Sequence, residues 1–189
     1  AKETMKKSLK IIGKTHGKDS WEYATFCSNL GISYCRLEEF DEAEKLFATD
    51  EEIFRKLNFE IHPANMSLRI NKSSLYMQKR QERKSEELMK ENLKLLEENF
   101  HPSYPDYAVA LSLMANHYYR FDHHDKAAPY YVKMIDKLLE LTNKFFPVLS
   151  ENDTLAYWKS ITQKVDQFYS FSSVYQEENP DILKSAYDC

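Results

Sequence analysis

The sequence predicts an all-α fold, a solenoid of helical hairpins closed by a long C-terminal helix. Three observations predict it. Apolar residues recur at three- and four-residue spacing, with no alternating runs of the kind a half-buried strand needs. Only 3 glycines and 6 prolines are present, which leaves little room for a sheet. Above all, the chain matches itself when slid by 42 residues.

The pattern is clearest in residues 24–57. Leu30, Gly31 and Tyr34 share one helical face, with Ala24 and Cys27 one and two turns earlier. Ala43, Leu46, Phe47, Ile53, Phe54 and Leu57 form the stripe of a second helix. The turn falls at Leu37 to Phe40, and Asp41 with Glu44 reads as an acidic capping box for the second helix. A hydrogen at Gly31 and a methyl at Ala43 allow close approach where the helices cross. Such a hairpin cannot bury its own apolar faces and needs neighbours.

One period on, Tyr34 falls on Tyr76, Asn29 on Asn71, Leu46 on Leu88 and Ile53 on Leu95. Two periods on, Tyr34 falls on Tyr118, Gly31 on Ala115, Ala43 on Ala127, Asp41 on Asp125 and Phe47 on Tyr131. One period back, Ile53-Phe54 lands on Ile11-Ile12 and Phe47 on Met5. Small residues return at crossings and aromatics at holes, so the match follows packing.

Asn29-Leu30-Gly31-x-x-Tyr34 followed by Phe40-x-x-Ala43-x-x-x-Phe47 resembles the tetratricopeptide repeat (TPR) motif. The longer unit, with His-Pro at Pro63 and Pro102, looks like the kinesin-light-chain-type variant. The resemblance implies a right-handed α-α superhelix, and it covers residues 1–147. It thins in the second full repeat, where Lys72, Ser73 and Ser85 replace Leu30, Gly31 and Ala43. There KRQERK at 79–84 offers no clear turn and tolerates a continuous helix. HEAT repeats have a similar period, but the Gly/Ala crossing pair argues against them.

In chain order, a partial unit at 1–15 holds a leftover helix ending near Gly13. Full repeats follow at about 20–61, 62–103 and 104–147, with helices expected near 20–36, 41–58, 64–78, 84–99, 106–121 and 125–144. His101-Pro102 through Pro105 opens the third pair, Pro129 should bend or loosen the start of its second helix, and Pro147 closes it. Residues 148–189 form capping and linker helices. Ser150 can cap a long helix carrying Leu155, Trp158, Ile161, Val165, Phe168 and Tyr175, most simply a cap on the last repeat. Asn179-Pro180 ends it, and Asp181 opens another helix.

Phe146-Pro147-x-Leu149-Ser150-Glu151, then Tyr157-Trp158 and later Tyr187-Asp188, resembles the junction where such repeats precede a CHAT domain, a caspase-like peptidase, in bacterial proteins. That resemblance implies the arm of a longer protein without its catalytic part. The peptidase's His and Cys have no matching positions, and Cys189 receives no catalytic role.

At 189 residues the chain is long enough for a continuous one-dimensional core. Charged residues make up 30%, and the net charge of −4 disfavours broad nucleic-acid affinity. No run is apolar enough to span a membrane, and the opening stretch AKETMKKSLK lacks the apolar run expected of a signal peptide. Cys27 and Cys35 lie two turns apart, roughly 12 Å at about 1.5 Å per residue, too far for a disulfide. They read as buried small apolar residues in a reduced, cytoplasmic setting.

The TPR resemblance places a concave groove on the first helix of each pair. Its residues would be Thr25, Ser28, Ile32, Cys35 and Arg36, then Ser67, Ile70, Ser74, Met77 and Gln78, then Val109, Ser112, Asn116, Tyr119 and Arg120. Serines leave room for a peptide backbone, Gln78 and Asn116 can bond it, and Arg36 or Arg120 can grip a carboxylate. Asn29 and Asn71 reach either the groove edge or a neighbouring helix. His117, His123, His124 and Asp125 lack metal-site spacing, since His123 and His124 sit side by side in a turn. Lys79, Arg80, Arg83 and Lys84 read as an exposed turn rather than an RNA site. No glycine loop for phosphate, no nucleophile–base pair and no cofactor motif is present in the sequence. The expected function is protein or peptide binding, as the arm of a CHAT-type peptidase. The rivals are a free-standing adaptor and, furthest behind, an enzyme in its own right.

Overall fold

The computed structural model describes residues 2–100 and 105–175. The order is α1 (Lys2–Thr15), α2 (Trp21–Cys35), α3 (Phe40–Lys56), α4 (Pro63–Gln78), α5 (Glu82–Asn99), α6 (Pro105–Arg120), α7 (His124–Phe145) and α8 (Glu151–Tyr175), with a 3-10 turn at Phe146–Val148. No strand occurs among the described residues. The expected His101-Pro102 turn, the Asn179-Pro180 stop, a helix from Asp181 and the Tyr187-Asp188 pair lie outside them. Two compact units divide the chain, Ala1–Asn92 and Leu93–Cys189.

In the first unit α2 and α3 pack as a hairpin around Ala24, Leu30, Tyr34, Ala43, Phe47, Ile53 and Phe54, all buried. Met5 and Leu9 of α1 and Leu68 and Leu75 of α4 close that core from either side. Gly31 makes room for a ring: a Cβ built on it would stand 2.6 Å from Cε1 of Phe47. In the second unit α6 and α7 bury Leu111, Met114, Ala115 and Tyr118 against Ala127, Tyr131, Met134 and Leu138.

The turns repeat as closely as the helices. Glu38, Arg80 and Asp122, spaced one period apart, all sit in the left-handed region, with φ of 58, 57 and 60°. In each copy the residue after the bend donates its N–H to the repeating tyrosine's carbonyl. The bonds are Glu39 to Tyr34 (3.0 Å), Gln81 to Tyr76 (2.8 Å) and His123 to Tyr118 (2.9 Å). Two expectations are thereby corrected. The second repeat does turn, at Arg80, because burial of Leu75 and Met77 before the bend and of Ser85 and Met89 after it outweighs the helix propensity of its basic run. The Asp41 capping box is absent: α3 starts one residue earlier, after Glu39, and Glu44 instead accepts from Lys79 Nζ at 2.7 Å.

The tyrosine rings each carry a lysine. Lys84 lies over Tyr76 (5.2 Å) and Lys126 over Tyr118 (5.6 Å), one period apart. Glu42 holds that position in the first copy, and Lys6 of α1 covers Tyr34 instead (5.8 Å).

α1 runs two residues beyond Gly13 and turns only at Gly17, whose φ is 87°. Ser20 caps α2 by accepting from the Tyr23 N–H, and His62 caps α4 through Nδ1 with Pro63 in the first turn. Helix α7 continues through Pro129. Ser150 caps α8, its Oγ accepting from the Asp153 N–H at 3.3 Å. Only part of the α8 stripe is buried: Ile161, Phe168, Phe171 and Tyr175 are covered, while Leu155 and Trp158 remain 54% and 55% exposed. The expected cap therefore begins near Ile161, and Trp158 packs merely against Phe146, 6.0 Å away.

Candidate functional site

The first helices of the pairs present the predicted groove residues unevenly. In the first copy Ile32 is half-buried and Arg36 exposed, but Ser28 and Cys35 are buried. In the second, Ile70 and Ser74 are half-buried, Ser67 and Gln78 are exposed, and Met77 is buried. Thr25 and Ser67 bond carbonyls four residues back in their own helices, as solvated hydroxyls do. Asn71 settles between its two readings: its amide donates to Ser28 Oγ at 3.4 Å, a helix-to-helix bond, while Asn29 is exposed.

In the third copy the corresponding positions face α8. Gln167 Oε1 accepts from Ser112 Oγ (3.2 Å) and Asn116 Nδ2 (3.1 Å), and Tyr131 donates to Asn116 Oδ1 at 2.8 Å. Tyr119 meets Phe171 edge-on at 5.6 Å. Burial drives the Tyr131 phenol far above its ordinary value, so it stays a donor. Arg120 remains exposed and Val109 is half-buried. Serine and asparagine offered for a peptide backbone are thus met by a glutamine amide of the same chain. Gln167 is polar and carries no repeat signature, so the sequence reading missed it.

A second missed residue is Asp50. It lies on the apolar stripe of α3, three residues after Phe47 and four before Phe54, and it is wholly buried. Its counterparts one and two periods on are Asn92 and Met134, so an acid on a buried stripe was the available signal. Neither carboxylate oxygen completes a hydrogen bond. Burial pushes this carboxyl up to about 7; the facing Ser28 hydroxyl and Lys72 ease its charge, and neighbouring Glu51 opposes it. Lys72 itself pairs with Glu51 at 2.7 Å. Beside it, burial and then the Asp50 charge push the Cys27 thiol up to about 12. Burial also raises Cys35. Both are free, buried thiols, and a protonated thiol is a poor nucleophile.

His123 lies in the α6–α7 turn and His124 opens α7, its ring tilted against Tyr119 at 5.5 Å. Among the described residues no three His, Cys, Asp or Glu side chains converge as a metal site. Lys79, Arg83 and Lys84 of the basic turn are occupied by Glu44, Glu87 and the Tyr76 ring. No described helix is long and apolar enough to cross a membrane.

Two crystal structures of a putative kinesin light chain with nearly identical TPR-like repeats from Podosopora anserina, one a single-substitution variant, cover 99% of this chain. Their TM-scores are 0.68 and 0.63 at 14% and 15% identity, over 82% and 84% of their own lengths. BtubC (BKLC) from P. vanneervenii matches 75% of the chain at TM-score 0.65 and 19% identity. The chain spans 56% of BtubC. No protein-family model matches, and no curated protein matches by sequence. The fold is all-α and TPR-like.

Proposed function

We propose that the chain is a protein- or peptide-binding TPR scaffold whose ligand lies along the first helices of the first two full repeats. The observation that supports this reading is the pairing, one period apart, of Ile32 with Ser74 and Arg36 with Gln78. Half-buried small or apolar positions there flank exposed polar ends on a rigid, all-helical frame. An extended segment would rest on Ile32 and Ile70, bond through Ser74 and Gln78, and place a carboxylate on Arg36. In the second unit, taken by itself, Ser112 and Asn116 are open to a ligand only if α8 yields Gln167. The scaffold role is non-enzymatic, in keeping with buried, protonated cysteines.

Within this reading the chain serves as the recognition arm of a longer, CHAT-type peptidase in a bacterial cytoplasm, supported by the Phe146-to-Trp158 stretch alone. A free-standing adaptor is the alternative. Finding caspase-like His and Cys residues downstream of Cys189 in the intact protein supports the first; a chain without them supports the second.

The test of binding is peptide selection against the whole chain, followed by photo-crosslinking from Ile32 and Ser74. Crosslinks at both positions and severalfold weaker binding by Arg36→Ala are expected for a charge-assisted contact at an exposed arginine. Selected peptides indifferent to Arg36→Ala and Gln78→Ala would remove this site.

A further inference from the structure

On the side of α2 opposite Thr25, Ser28 and Ile32, a separate groove of about 600 Å³ lies between α1 and the start of α2. Its floor is apolar: Leu9, Gly13 and the face of Tyr23. Gly13 shapes it, because a Cβ there would meet the Tyr23 ring at 3.0 Å. The rim is basic, with Lys7, Lys10, Lys14 and Lys18 beside Lys6, and Glu3 is the one acid among the lining residues.

What separates this rim from an ordinary solvated surface is that its cations are unmatched. Elsewhere in the same unit lysines find carboxylates: Lys45 with Glu42, Lys56 with Asp19, Lys72 with Glu51 and Lys79 with Glu44, at 2.7 to 3.0 Å. Lys6 is taken up by the Tyr34 ring. Among the described residues, Lys7, Lys10, Lys14 and Lys18 have no carboxylate in ion-pair range. A chain of net charge −4 thus concentrates unmatched positive charge around one apolar recess.

We propose that this groove docks an acidic peptide segment of another protein, with one large apolar side chain on Leu9 and Tyr23 and flanking carboxylates on Lys10, Lys14 and Lys18. The volume suits a single aromatic anchor. A bilayer fits less well: Leu9 and Tyr23 are recessed and partly packed against the core, and Ile11 is the one large apolar side chain that α1 exposes, too little to bury among lipid chains. The site is distinct from the one reached by Arg36 and stands without it.

The probe is a fluorescein-labelled peptide of sequence EDEFEDE, compared with EDEAEDE by fluorescence anisotropy on the full chain at two salt concentrations. The aromatic peptide should bind at least about fivefold more tightly, because only it fills the floor. Charge reversal by Lys10→Glu with Lys14→Glu should weaken it about tenfold or more, and higher salt should weaken it as well. Lys7→Glu with Lys18→Glu, at exposed positions, gives an independent second variant should the first lose its helical circular dichroism. Arg36→Ala should leave the affinity unchanged. Equal binding of the two peptides, or indifference of both folded charge-reversal variants, overturns the proposal. So does binding to phosphatidylserine vesicles with no binding to the peptide.

Discussion

The ring of Phe47 lies where a side chain on Gly31 would begin, 2.6 Å from the position of the missing Cβ. Glycine inside a helix costs about 1 kcal/mol relative to alanine, so its presence here is explained by the ring. Gly31→Leu gains that propensity but must displace a fully buried phenyl group. A net loss of about 1–3 kcal/mol is expected from overpacking, read by urea denaturation. A variant as stable as the parent would show that the ring has somewhere else to go.

Asp50 makes stability depend on pH with an uncommon sign. Its folded carboxyl, at about 7, holds a proton more tightly than the unfolded chain, where the ordinary value is 3.8. Its contribution is therefore fullest below pH 4 and is lost as pH rises through 7. Three units correspond to a ceiling of about 4 kcal/mol. Asp50→Asn, the residue the next copy carries as Asn92, should stabilise the protein at pH 8 and bring little gain at pH 4. Melting curves of both proteins across that range test it, and a gap that does not widen with pH rejects it.

The left-handed turn residues offer a gain instead. Glu38, Arg80 and Asp122 bear side chains at φ near 60°, where a Cβ is strained by about 1–2 kcal/mol. Glu38→Gly or Arg80→Gly should raise stability by roughly 0.5–1 kcal/mol, after the added freedom of the unfolded chain is subtracted. Thermal melts at fixed pH give the sign directly.

Gln167 ties α8 to α6 through Ser112 and Asn116. Gln167→Ala removes one acceptor from two donors and should cost about 1–2 kcal/mol. Its more telling effect should be faster hydrogen exchange over residues 161–175, since that half of α8 is the half that packs. A ligand that enters the third copy must break the same bonds and should speed exchange in the same stretch. Unchanged exchange there would leave α8 no part in transmitting binding.

The helices were legible because their signal is redundant. Tyr34, Tyr76 and Tyr118 announce a period, and packing obeys it even where Ser73 and Ser85 stand in for Gly31 and Ala43. The turn at Arg80 was hidden because a left-handed arginine has no local signature; its bend follows from the burial of Leu75 and Met77 before it and of Ser85 and Met89 after it. The site was less legible still. Groove positions follow from helical geometry, but whether Ser112 meets solvent or Gln167 depends on a helix outside the repeat. Ser28 is buried because α4 places Asn71 beside it, a contact between residues more than 40 positions apart.

Three dissimilar side chains, two acids and one arginine, tip the same bend at Glu38, Arg80 and Asp122. The joint is dictated by its arms and tolerates whatever stands at its apex. Those tips are accordingly the places where a fluorophore or an epitope could be grafted in turn, one per copy, to report on each repeat separately without shifting its register.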